Sequence, residues 1–254
     1  MMGIGEFMAF VLVLVRVGSM FAFLPFLSEG SIPAIVKALL ALMMSVAIFP
    51  VTNVQLPPSA WQPLGFFLCV AAEVLYGALM GFCTQMVFQS LRSAGELISQ
   101  EMGMALASIA DPLSEVETTV VGALCDTTGV LVFFAIGGHH LLIRALHASF
   151  AHWPLGAFLA PEFIKRMSLG AVTYNLALAF QLAAPLVLLG FMVTLIMAIL
   201  ARLIPEVNVL IIGFPARIGM GLIGLTLATP LVVRYGEEVC RIMFSFASAV
   251  AMGT

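Results

Sequence analysis

Long apolar runs separated by short polar breaks are the first pattern along this chain. The runs cover roughly residues 7–27, 34–56, 64–90, 119–150, 169–201, 207–233 and 239–252. Most reach the ~20 residues that an α-helix needs to cross a hydrocarbon core about 30 Å thick. The breaks PFLSEGSIP (25–33), LPPSAWQP (56–63), ISQEMGMALASIADPLSEVET (98–118) and HWPLGAFLAPEFIKR (152–166) supply Pro, Gly or charge where a helix should stop. The pattern predicts five to seven helices in one all-α unit, since no linker or low-complexity segment divides it.

Two features complicate a simple spanning bundle. Arg16, Glu73, Asp126 and Arg217 lie inside apolar runs, and facing lipid would be costly for each, so they should face protein or water. Pro185, Pro205, Pro215 and Pro230 also interrupt the later runs, and breaks at membrane depth are tolerated only where protein or water satisfies the freed backbone. IPEVNVLIIGFP (204–215), apolar between two prolines, reads as a broken helix or as a mere kink. Both features predict a chain surrounded largely by other protein. Loop bases are spread over Lys37, Arg92, Lys165, Arg166 and Arg234 without alternation, so they set no membrane orientation.

Composition sharpens the class. Hydrophobic residues make up 62% of the chain and charged residues only 9%, against about a quarter charged in soluble domains, and the mean hydropathy is +1.16. A net charge of −3 with scattered bases excludes nucleic acid as a partner, because that binding needs clustered cations. Cys69, Cys83, Cys125 and Cys240 lie singly in apolar runs and read as small buried hydrophobes. Glu6 ahead of the first run, Arg16 within it and the lack of a small-residue site after Phe26 argue against a cleaved signal peptide.

Candidate chemistry is sparse. GMGLIG (219–224) matches a dinucleotide-binding pattern, but no strand precedes it and no acid follows about twenty residues on. Gly77 and Gly81 form a GxxxG pair that permits close helix approach. His139, His140, His147 and His152 cluster without an HExxH motif or carboxylate partner, so a metal is not expected, and an interfacial helix end suits them better. Neither GxSxG nor a paired-aspartate protease motif occurs. The chain is therefore expected to be no enzyme and to carry no cofactor. Sixteen methionines supply flexible packing, and Met102 and Met104, flanking Gly103, could line a soft constriction.

RSAGELISQEMGMALASIADP (92–112) resembles the central loop of the FliR family, flagellar biosynthetic proteins of the bacterial type III export gate. SEGSIP (28–33), GHHLLIRALHASFAHWPLG (138–156) and LARLIPEVNVLIIGFP (200–215) are similar to that family's other recurrent stretches, in the same order. The injectisome counterpart, SctT, shares the architecture and stays open as a reading. The resemblance implies membrane-associated helical hairpins with broken helices, built like a FliP-like part (about 1–165) fused to a FliQ-like part (about 166–254). It implies assembly with FliP-like and FliQ-like subunits around a protein-conducting pore in the bacterial inner membrane, at the flagellar basal body. FlhB-like and FlhA-like export proteins, membrane lipid and unfolded flagellar export substrates are the further partners it implies.

The same resemblance implies that the acid-rich central segment, whose acids Glu101, Asp111, Glu115 and Glu117 have no base among them, lies across the pore as a plug. Carried over by position, the plug runs from about Gln100 to Glu117, with Met102, Met104, Leu106 and Ile109 as its apolar seal and Asp111-Pro112 ending it. Leu106 and Ile109 depart from the family pattern, which has bulky aromatics there. Asn208 and Phe214 are the further pore or subunit contacts it suggests. Two rivals stay open: a small-solute secondary transporter, motivated by broken helices and intramembrane charge, and a pure assembly scaffold.

Overall fold

A computed structural model describes residues 3–24, 32–52, 56–104, 119–204 and 209–253. Among these residues the chain forms seven α-helices and no strand: α1 Ile4–Ala22, α2 Ala34–Ile48, α3 Pro63–Glu101, α4 Val120–Ala135, α5 Gly138–His152, α6 Pro161–Leu203 and α7 Val209–Met252. A single 3-10 turn, Pro58–Trp61, precedes α3. The all-α expectation holds. Helices α1, α3, α6 and the Ile212–Ala251 stretch of α7 are each long and apolar enough to cross a membrane, and α4 with α5 makes a fifth if the pair is one span.

That pair is where a helix is broken. The apolar run 119–150 gives two helices that meet at an angle of 69°. Gly137 stands between them at φ 72°, and Gly138 opens α5. A left-handed residue costs little only for glycine, so the two adjacent glycines end one helix and redirect the next. Thr119 starts α4 by accepting the Gly122 N–H on its hydroxyl at 3.2 Å, and Glu6 caps α1 by accepting the Gly3 N–H at 3.1 Å.

Elsewhere helices run through expected breaks. The runs 207–233 and 239–252 are one helix, α7, because Glu237 and Glu238 between them are exposed and water or headgroups can solvate them. Pro185 lies inside α6, and Pro215 and Pro230 lie inside α7. Each proline removes one ladder bond, which helices of 43 and 44 residues accommodate without ending. Residues 209–215 of the proposed broken helix thus belong to α7, while Pro205 and Asn208 lie outside the described residues.

The contacts divide the chain into two units: residues 1–88, 137–173 and 240–254 form one, and 89–136 with 174–239 the other. The division cuts through α3, α6 and α7, so no linker marks it. In the first unit the buried stripe of α1, Ala9, Leu12, Val13, Arg16, Val17 and Met20, follows the helical repeat. Tyr76, Met80, Cys83 and Val87 make the matching stripe of α3. Gly77 and Gly81 lie where α3 crosses α1. A Cβ on Gly77 would collide with the Ser19 hydroxyl and the Arg16 carbonyl, and one on Gly81 would sit 2.6 Å from the Met20 carbonyl and 2.7 Å from Phe23 Cβ.

In the second unit glycines again set close approaches. A Cβ on Gly95 of α3 would lie 2.7 Å from Gly122 Cα of α4, and one on Gly224 of α7 would lie 2.6 Å from a Leu186 methyl of α6. The GMGLIG stretch is therefore helical, and two of its three glycines, Gly221 and Gly224, sit at close contacts while Gly219 faces open space. Much apolar surface stays uncovered: the most apolar window of α6 is 22% buried within the chain, and that of α7 only 11%.

Candidate functional site

The charged residues of the apolar runs have specific places. Arg16 and Glu73, 57 positions apart, are each 1% exposed and form a buried ion pair. Arg16 Nε donates to Glu73 Oε2, and its Nη2 donates to Glu73 Oε1 at 3.0 Å and to the Trp153 carbonyl at 3.2 Å. Nη1 donates to the Ser149 hydroxyl at 3.3 Å, while the Gly156 N–H donates to Glu73 Oε1 at 2.8 Å. The guanidinium lies 4.4 Å from the Tyr76 and Phe150 ring centroids, and the Tyr76 hydroxyl donates to the Val250 carbonyl at 2.7 Å. The cluster joins α1, α3, α5, the turn after α5 and the end of α7. A bidentate pair with its remaining donors and acceptors matched is how two charges stay buried. Its chemistry is structural: both carboxylate oxygens of Glu73 and all three nitrogens of the Arg16 guanidinium are engaged with each other or with neighbouring groups.

Among the described residues no group of three or more His, Cys, Asp or Glu could hold a metal ion. His152 Nδ1 lies 3.2 Å from the Ala148 carbonyl on its own helix. An open groove of about 610 Å³ between α2 and α5 is lined by Met44, Ile48, Val51 and Ile143, with Arg144 and His147 as its polar residues.

The feature that matters for the central segment is how α3 ends. The Gly103 N–H donates to the Gln100 carbonyl at 3.0 Å and the Met104 N–H to the Ser99 carbonyl at 3.1 Å. With Gly103 at φ 75°, this is a Schellman cap, the arrangement that satisfies the last carbonyls of a helix and turns the chain away. The helix thus continues through Ile98–Glu101, the first turn of what the sequence suggested as a break, and stops where glycine permits. Met102 is buried at 2% exposure, and Met104 is half-buried.

Met102 and Glu101 meet α6 and α7 within the second unit. A Cβ on Gly221 would lie 2.7 Å from Met102 Sδ and 2.8 Å from its Cε, and one on Gly190 would lie 3.0 Å from Glu101 Cβ. A Cβ on Gly103 would lie 3.6 Å from Phe214 ring atoms. Of the site residues expected from the sequence, Met102, Met104 and Phe214 are therefore gathered around this helix end, while Gly77 and Gly81 belong to the first unit. Leu106, Ile109, Asp111, Pro112 and Asn208 lie outside the described residues. Gly190 and Gly221 were not among the expected site residues, whereas Glu101 falls inside the expected plug span and Arg217 was read only as a charge within an apolar run. Glu101 and Arg217 line one cavity of about 10 Å³ with Ile98, Leu186, Leu189 and Met220. Its sequence hints are ionisable Arg217 in an apolar run and Glu101 at the start of the acid-rich segment.

Comparison with known proteins places this architecture. Residues 7–243 match the family described as bacterial export proteins, family 1. The flagellar biosynthetic protein FliR of Escherichia coli (strain K12) is 30% identical, over 93% of this chain and 90% of its own length. That of Bacillus subtilis (strain 168) is 29% identical, over 86% and 85%. The Yop proteins translocation protein T of Yersinia pestis is 27% identical, over 95% and 89%. Since the match runs through all seven helices and does not hang on one motif, the chain belongs to family 1 of the bacterial export proteins.

Proposed function

We propose that this chain is a non-catalytic subunit of the flagellar type III protein-export gate. It forms the export pore with FliP-like and FliQ-like subunits, receives unfolded flagellar substrates alongside FlhA-like and FlhB-like proteins, and closes the pore with its central segment, about Gln100 to Glu117. Its place is the bacterial inner membrane at the flagellar basal body. The observation that carries this reading is the family match over 7–243. Two structural features support it: an apolar stretch of α6 has only 22% of its residues buried within the chain and one of α7 only 11%, which partner helices and lipid would cover, and the central segment follows a capped helix end. Apolar side chains on that segment would exclude water and ions by dewetting while yielding to a polypeptide.

An injectisome subunit is the second reading, supported by the 27% identity to the Yersinia translocation protein over 95% of the chain. The 30% identity to the Escherichia coli flagellar protein favours the flagellar one. The closing role is tested by deleting residues 104–110. Recovery of the complex should be unchanged and ion leakage across membranes that carry it should rise. Unchanged permeability with the complex intact would remove the closing role and leave the chain a scaffold.

A further inference from the structure

We propose that Met102 and Glu101 are positioning residues, which anchor the central segment by seating in two glycine sockets, Met102 at Gly221 of α7 and Glu101 at Gly190 of α6. The proposal rests on the reading of that segment as the element that closes the pore. It changes what Met102 does: a side chain that is 2% exposed and seated against a neighbouring helix fixes the base of the segment and does not line the constriction.

The fit is specific. The Met102 side chain crosses the space a Cβ on Gly221 would occupy, touching it with Cγ, Sδ and Cε alike, and Glu101 crowds Gly190 with Cβ and with Oε2 at 3.1 Å. The cavity beside them admits about one water, roughly 10 Å³. An unbranched, polarizable thioether is the side chain best able to fill an irregular slot of this kind. The Schellman cap then sets the direction in which the chain leaves. This gives Gly221, in the GMGLIG stretch that no nucleotide explains, a reason to lack a side chain.

The test uses the full chain in its complex with cognate partners, reconstituted in liposomes, with ion leak as one readout. The other is labelling of Met102→Cys by a water-soluble maleimide. Gly221→Leu should raise the leak roughly tenfold, because overpacking shifts the seated population by about that factor. Adding Met102→Ala, which returns the volume, should bring the leak back to within about twofold of wild type. Met102→Cys should resist the maleimide beside Gly221 and react beside Leu at that position. If deletion of 104–110 leaks but Gly221→Leu does not, or the double variant leaks as much as the single, the anchor is wrong and the closing role stands. If the deletion does not leak, the closing role falls, and protection of Met102→Cys alone decides whether the socket is occupied. Should Gly221→Leu fail to assemble, Met102→Ala alone replaces it: by emptying the socket it should raise the leak, and a leak within about twofold of wild type overturns the anchor.

Discussion

Removing one member of the Arg16–Glu73 pair should do far more damage than removing both. Glu73→Leu leaves a guanidinium between the Tyr76 and Phe150 rings with Nε and Nη2 deprived of their carboxylate, and strands the Gly156 N–H. Breaking a buried pair from one side costs about 3–5 kcal/mol, and the orphaned donors are part of that figure, not an addition to it. Set against a total stability of about 5–15 kcal/mol, the loss is large. At roughly 2–4 °C per kcal/mol for a chain of this size, the unfolding midpoint should fall by about 6–20 °C. Arg16→Leu should fall in the same range, since it leaves an unpaired carboxylate. The double variant Arg16→Met with Glu73→Leu removes both charges at similar volume and should recover most of the loss. It should remain about 1–3 kcal/mol short, because the Gly156 N–H still lacks an acceptor. Thermal unfolding of the purified complex in mild detergent, followed by light scattering, reads all three. Single variants within about 2 °C of wild type, or a double variant worse than either single, would refute the reasoning.

Three glycine substitutions separate close packing from backbone conformation. Gly81→Leu should cost at least about 1–3 kcal/mol, because its side chain meets the α1 backbone at Met20 and no rotamer relieves that. Gly18→Ala, with nothing within 4 Å of its Cβ, should be neutral or stabilise by up to about 1 kcal/mol, and equal midpoints for the two would count against the packing account. Gly137→Ala should cost about 1–2 kcal/mol from its left-handed φ of 72° although its Cβ has room; an unshifted midpoint in the same assay would show that the break between α4 and α5 can adopt another geometry.

The helices were legible because long apolar runs leave a chain few other ways to satisfy its backbone. Their ends were less so. The runs 207–233 and 239–252 read as separate, yet Glu237 and Glu238 between them are exposed on α7 and the helix passes them. The 119–150 run looked continuous, and the Gly137-Gly138 pair that bends it was overlooked. Arg16 and Glu73 were each expected to face protein or water, but their pairing depends on α1 crossing α3, which no local pattern encodes. The same holds for the sockets: Gly190 and Gly221 look like ordinary small residues until Glu101 and Met102 arrive from another helix. Met102 stands out in the sequence through its neighbours Gly103 and Met104 as a residue that could line a constriction, whereas in the fold its side chain is buried against Gly221.

The central claim is most directly tested by a mild-detergent pull-down of the tagged chain from its native membrane, with mass spectrometry of what accompanies it. Stoichiometric recovery of FliP-like and FliQ-like proteins is the predicted result, and the flagellar or injectisome set recovered tells the two export systems apart. Recovery of the chain alone or as a homo-oligomer, repeated across detergents, would contradict the export-gate account and turn attention to the small-solute transporter.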